Sequence, residues 1–338
     1  MQEQVKSLLS AATATIFSPL PSRALRLLAS SFARAMTPSD RYLLISQMAG
    51  GVNIARFAVA GTYGLFESLS SDDGVLRGYA VDGTWASRSL KLITDAMEGT
   101  AGTYIDIGAN IGLTVVPVAR LGVNCLAFEP EPHNFESLVR NVARNLDSAN
   151  IQLFQLALSD VSGEAKLSLS QCNLGDHRLV AAHESTPSVP LSRDQRREII
   201  VTTERLDDLK LPITDPLVVK LDAQGAEPMI LRGGRETLSR AKLLVMEFSP
   251  FHISRFQETP DDILDFLSST FTDIAYGVGE QGQFTFGNSK SDAISYLQAY
   301  FRENTANTGS YLDIAATNPH DRIRFCQSEV AIAEAMAD

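Results

Sequence analysis

The run Tyr104-Ile-Asp106-Ile-Gly108-Ala-Asn110-Ile-Gly112 narrows the fold of this chain more than any other stretch. A short apolar strand ends in a carboxylate, and two glycines four residues apart then open a tight turn into a helix. Glycines at such a turn let a ligand approach the backbone closely, because no Cβ stands in the way. The rhythm continues downstream, with strands predicted at Thr103–Ile107, Asn124–Phe128, Ile151–Leu156, Leu217–Leu221 and Lys242–Glu247. Between the second and third, Phe135, Leu138, Val139, Val142 and Leu146 recur at helical intervals and make one buried stripe. Short apolar strands alternating with helices specify an α/β fold with a mostly parallel sheet.

The flanks are less regular. Residues 1–75 carry Ala, Leu and Arg at roughly helical spacing, broken by Pro19, Pro21, Pro38 and Gly50-Gly51, and read as two or three helices. A further helix is expected at Ser87 to Met97. These assignments divide the chain into an N-terminal helical extension (1–98), a sheet domain (99–320) and a C-terminal tail (321–338). Short strands at Ala165–Leu169 and Ile199–Thr203 form an insertion between the third and fourth main strands, and Asn173 to Gln195 reads as a long loop. The C-terminal part gives a helix at Asp261–Ser269, a strand at Asp273–Val278, a hairpin-like piece over Gly277 to Gly287, a helix at Ala293–Arg302 and a strand at Tyr311–Ala316.

Composition excludes several partners. The formal charge of −11 over 338 residues gives a phosphate backbone no attraction, so nucleic acid is not expected as substrate. Charge is uneven: Lys6, Arg23, Arg26, Arg34, Arg41 and Arg56 face only Glu3 and Asp40 in residues 1–60. Such a basic arm allows weak peripheral contact with an anionic membrane, or caps the acidic body. The N-terminal helices either pack across a homodimer or close over the site. No apolar run approaches the ~20 residues of a membrane span. Cys125, Cys172 and Cys326 are odd in number and widely spaced, which fits neither a disulfide framework nor a zinc ribbon and points to a reducing, cytoplasmic setting.

The glycine spacing is Gly-xxx-Gly, not the Gly-x-Gly-xx-Gly of dinucleotide binders. Asp106 at the mouth of the loop would repel a pyrophosphate and suit an ammonium group. Glu129 follows the second strand, where a carboxylate accepts hydrogen bonds from ribose hydroxyls. S-adenosylmethionine carries an ammonium, a sulfonium and a ribose without a phosphate. An NAD(P)-dependent oxidoreductase on a similar sheet is the enzymatic alternative, and a non-catalytic cofactor-binding scaffold is the other.

Several blocks together resemble the FkbM-type methyltransferases. They are Asp106-Ile-Gly-Ala-Asn-Ile-Gly112, Ala127-Phe-Glu129-Pro-Glu-Pro132, Asn141 to Asn145, and Ala157-Leu-Ser-Asp160 with Gly163. Next come Thr203-Glu-Arg-Leu-Asp207-Asp-Leu209, Val219-Lys220-Leu-Asp222-Ala-Gln-Gly225-Ala-Glu227, Leu231-Arg-Gly-Gly234 and Met246-Glu247-Phe-Ser-Pro250. Gln224 departs from the pattern, since the family usually has a carboxylate before that glycine. The resemblance implies a class I methyltransferase (Rossmann-like) sheet of seven strands, the last antiparallel, with S-adenosylmethionine as methyl donor. It also implies an acceptor hydroxyl on a sugar, glycan or secondary metabolite. By matching position, Asp106, Gly108, Ala109, Asn110 and Gly112 line the methionine end of the cofactor, Glu129 binds the ribose, and Ala157 and Leu158 border the adenine.

Removing a proton from an alcohol requires an acceptor beside the reacting oxygen. Asp222 follows the fourth strand at the expected crevice, and Glu247 would end the neighbouring strand, so the two could share a proton or hold a cation. No metal is assigned. His177, in Asn173-Leu-Gly-Asp-His177-Arg-Leu179, is the other candidate base, since histidine titrates near neutral pH.

Overall fold

The computed structural model describes residues 36–51, 55–147, 150–170, 173–180, 196–278, 284–287 and 289–318. Four arginines or lysines of the basic arm (Lys6, Arg23, Arg26, Arg34), Cys172, Cys326, most of the expected loop and the tail lie outside them. The chain divides into two compact units, 1–53 and 54–338. In the first, a helix spans Pro38–Gly51. Thr37 starts it, its Oγ1 accepting the Asp40 backbone N–H at 3.1 Å.

The second unit is built on a twisted sheet. Its strands are β1 (Thr103–Ile107), β2 (Asn124–Phe128), β3 (Ile151–Phe154), β4 (Leu217–Leu221), β5 (Ala241–Phe248), β6 (Asp273–Val278) and β7 (Leu312–Thr317). Their order is β3-β2-β1-β4-β5-β7-β6, with a two-residue strand, Thr285–Phe286, added at the β6 edge as an eighth. The first five run parallel, and β7 is antiparallel to both β5 and β6. This is the class I methyltransferase arrangement. Every residue of β1 and β4 is buried, as expected for central strands covered on both faces. Among the described residues no helix is long and apolar enough to cross a membrane.

The insertion between β3 and β4 is a small second sheet. Gly163–Leu169 pairs antiparallel with Arg197–Glu204, and Ala157–Leu158 extends it. Part of the stretch expected to be loop is not: Arg178–Leu179 forms a short strand against Leu167 and Ser168. The backbone of Arg178 and Leu179 thereby gains a partner at the sheet edge, which a reading from composition could not see.

The helical expectation for residues 1–75 also needs correction. Residues 56–69 form a β-hairpin, Arg56–Gly61 against Gly64–Leu69, joined by Thr62-Tyr63. Residues 54–98, assigned from sequence to a helical extension, group with the sheet unit. Helix Pro132–Asn145 holds the hairpin through two side-chain amides. Asn141 accepts from Glu67 N at 2.8 Å and donates to Glu67 O at 3.0 Å, while Asn145 does the same for Leu65 at 3.0 and 2.9 Å. The match is metric: four helix residues rise ~6 Å, close to the ~6.7 Å of two strand residues. Asn141 and Asn145 therefore stand in for a neighbouring strand, which blunts an exposed edge.

Candidate active site

β1 and β4 are neighbours whose onward connections run to opposite sides of the sheet, which opens a crevice at their carboxyl ends. Gly108 leaves β1 there with φ +80°, and a Cβ on it would overlap the Asp222 carbonyl oxygen leaving β4. A cavity of about 640 Å³ lies over this point. Its walls include Gly108, Ala109 and Asn110, then Glu129, Ala157 and Leu158, then His177, Asp222, Gln224, Glu247 and His252. The sequence candidates from five separate stretches therefore converge, apart from Asp106 and Gly112, which support the loop from behind.

On one side the cavity suits a nucleoside. Gly108 N and Ala109 N both donate to Phe128 O at 3.0 Å, tying the glycine loop to the end of β2. Glu129, only 5% exposed, accepts from Asn110 N through Oε2 and from Glu131 N through Oε1, each at 2.9 Å. Burial outweighs those two bonds and pushes its carboxyl up to about 8. Glu131 starts the following helix, accepting from Asn134 N at 2.7 Å. Phe128, Leu156, Ala157, Leu158 and Leu179 make an apolar slot beside Glu129. The segment at Leu174 closes against it, its carbonyl accepting from Asn110 Nδ2 at 3.0 Å and Asn134 Nδ2 at 2.9 Å.

Asp106 is wholly buried beneath the loop. Thr114 Oγ1 donates to its Oδ2 at 2.5 Å, and Lys220 Nζ lies 3.7 Å from its Oδ1. Burial raises the Asp106 carboxyl, and Lys220 and Thr114 oppose that rise. Lys220 in turn is buried, which alone would favour the neutral amine, yet Asp222 and Asp106 hold it charged, with its pKa above the usual lysine value.

The other side of the cavity is a polar wall. Lys220 Nζ donates to Asp222 Oδ2 at 3.2 Å. Gln224 Nε2 donates to Asp222 Oδ1 at 3.2 Å and Glu247 Oε1 at 3.4 Å, bridging the ends of β4 and β5. Gln224 itself takes φ +53°, a left-handed backbone that turns its amide inward. Glu227 holds this turn by accepting from Ala223 N and Gly225 N, each at 2.9 Å. Burial, then the Asp222 carboxylate, push Glu247 well above the ordinary carboxylate range. His252 lies 4.0 Å from Glu247, and burial, with Arg178 and Arg255, lowers it to about 4, so its ring is neutral at pH 7. His177 Nδ1 accepts from Ser170 N at 3.1 Å. In a neutral ring that leaves the proton on Nε2, so Nε2 is a donor. Among the described residues, no three His, Cys, Asp or Glu side chains are grouped to hold a metal ion.

His252 was not singled out from the sequence, and the bridging role of Gln224 was missed. The visible signal was a glutamine-glycine pair directly after a buried strand. Arg88, also on the wall, carried no local signal.

A model of the methyltransferase FkbM domain matches residues 106–276, just over half of the chain. The chain belongs to this family. An FkbM relative, the 2-O-methyltransferase NoeI of Sinorhizobium fredii, is 28% identical over 232 residues, covering 64% of this chain and 92% of that protein. The hexuronic acid methyltransferase AglP of Haloferax volcanii is 27% identical over 176 residues, covering 50% of this chain and 67% of that protein. Among solved structures, magnesium protoporphyrin IX methyltransferase of Synechocystis PCC 6803 with bound S-adenosylmethionine aligns at 12% identity and TM-score 0.35, over 69% of this chain and 77% of that one. As an FkbM methyltransferase, this chain is an S-adenosylmethionine-dependent O-methyltransferase. The site fits that cofactor: a carboxylate ends β2, an apolar slot adjoins it, and the loop over β1 offers a glycine Cα.

Proposed function

We propose that the acceptor is a hydroxyl of a sugar or glycan and that Asp222 takes up its proton. The observation that carries this reading is the polar wall at the ends of β4 and β5, where Asp222, Gln224, Glu247 and His252 meet beside the nucleoside slot. Hydroxyl-rich ligands need such alternating donors and acceptors. The printed activities of NoeI and AglP support the same acceptor class. S-adenosylmethionine, when bound, supplies an electrophilic methyl group on sulfur. Glu129 holds the ribose, Ala157 and Leu158 border the adenine, and Gly108, Ala109, Asn110 and Gly112 shape the loop at the amino-acid end. Asp106 acts through that loop and through Lys220 rather than by touching the ligand.

Asp222 is oriented by Lys220 and Gln224, so its carboxylate is aimed before the acceptor arrives. Glu247, whose burial favours the protonated form, donates to a second acceptor oxygen. His177, with Nδ1 occupied, donates from Nε2 and orients the acceptor instead of deprotonating it. The test is turnover on a panel of methyl hexosides and hexuronides, followed by release of S-adenosylhomocysteine and by mass. Asp222→Asn should lower kcat by about 10²–10⁴ fold, the usual contribution of a positioned base, while binding of S-adenosylhomocysteine is retained. His177→Ala should lower turnover less. Equal loss in both variants would move the base to the histidine, and no turnover on any sugar would remove the acceptor class.

Glu129 gives a pH signature. Ribose hydroxyls donate to the ionised carboxylate, so binding favours the form that the free protein reaches only above about 8. Affinity for S-adenosylhomocysteine should therefore rise between pH 6 and 9, with a proton released on binding near pH 7. Calorimetry in buffers of different ionisation enthalpy reads that proton directly. Glu129→Gln should abolish the release, and a wild type that binds without releasing one would refute the ribose assignment.

A further inference from the structure

Two cations line the cavity close to the glycine loop and β4, and they are not equivalent. Lys220 is held between Asp106 and Asp222. Arg88 has no ion-pair or hydrogen-bond partner among the described residues, and its Nη1 is shut off from solvent with nothing to donate to. A buried guanidinium N–H without an acceptor is costly, and proteins keep few of them. Its planar fork matches a carboxylate or a phosphate, and S-adenosylmethionine carries only the first. Arg88 is also the second residue of helix Ser87–Met97, whose first turn adds positive potential at the same place. Ala86, which precedes the helix, has φ +46° and makes no side-chain cap. Ser89 on the next position fixes the helix start to the sheet, its Oγ lying 3.4 Å from Asp313 Oδ2 on β7.

We infer that Arg88 is the anchor for the carboxylate at the amino-acid end of the methyl donor. This rests on the cofactor reading above. The other lining cation does not compete: Lys220 is held by two aspartates, so Arg88 is the open guanidinium for a ligand carboxylate. A ligand carboxylate fixed on that guanidinium orients the amino-acid chain that carries the sulfur.

The experiment compares wild type, Arg88→Ala and Arg88→Lys by calorimetric titration with two ligands. One is S-adenosylhomocysteine, and the other is its decarboxylated analogue, which keeps the thioether, the adenosine and the ammonium. Arg88→Ala should weaken S-adenosylhomocysteine at least tenfold and leave the analogue within about twofold, while Arg88→Lys recovers part of the loss. Unchanged binding of S-adenosylhomocysteine by Arg88→Ala would overturn the assignment. Equal weakening of both ligands would overturn it too, because it would mark a residue that only supports the cavity. A wild type that binds neither ligand would bring down the cofactor reading itself, an outcome distinct from both.

Discussion

Gly108→Ala is expected to destroy cofactor binding and to lower stability by about 2–5 kcal/mol, combining a strained positive φ with overpacking against backbone. The added Cβ would overlap the carbonyl oxygen of Asp222, which is rigid main chain and is itself placed by the Asp222 N–H donating to Ile107 O at 3.0 Å. Relief requires β1 and β4 to separate at the switch point, and both the ribose side and Asp222 move with them. Gly83→Ala supplies the comparison. That residue has φ +69° with nothing within 4 Å of a Cβ, so it carries the strain without the collision. It should cost only ~1 kcal/mol and leave binding intact. Denaturant unfolding and titration with S-adenosylhomocysteine decide the matter. A Gly108→Ala protein that binds normally would show that the close approach of the two strand ends is not needed.

Lys220→Met should be nearly as severe for a different reason. It leaves Asp106, fully buried, facing Asp222 without the cation between them. Removing one partner of a buried charge group costs about 3–5 kcal/mol. Burial already raises the Asp106 carboxyl above its value in an unfolded chain, and loss of Lys220 raises it further. A carboxyl whose folded pKa exceeds its unfolded one contributes stability that is full below the unfolded value and disappears as pH rises through the folded value. The deficit of Lys220→Met should accordingly shrink as pH falls from 8 towards 4. Adding Asp106→Asn should return part of the stability at pH 8. Unfolding curves at both pH values measure this, and a deficit that ignores pH would mean that lost packing of the lysine stem dominates.

Much of the scaffold was legible in the sequence because the relevant information is contiguous. Strand β1 carries its own apolar run, its terminal carboxylate and its glycine turn within ten residues. Glu129 is placed by chain length, since one βα unit from Asp106 must return a residue to the same sheet edge. The helix after it announces itself by its stripe and by Glu131 at its start. The hairpin over residues 56–69 was read as helix because its stability comes from elsewhere. Its outer strand is satisfied by Asn141 and Asn145, more than 70 residues away, and the local pattern of Ala, Leu and Gly does not distinguish the two structures.

What the sequence by itself determined is the order of the main strands and helices from residue 103 onward, the family, and the residue types waiting at each strand end. Only the tertiary structure decided what those residues do to one another. Register across β1, β4 and β5 places Lys220 between two aspartates, sets Gln224 between Asp222 and Glu247, and puts Asp106 under the loop instead of on the cavity wall. The tautomer of His177 follows from a backbone N–H seven residues earlier in the chain, and the open guanidinium of Arg88 follows from where its helix begins. The physical reason is the range of the forces involved. Periodicity and turn chemistry act within a few residues, whereas charge pairing and burial depend on groups brought together only when the sheet closes its ranks.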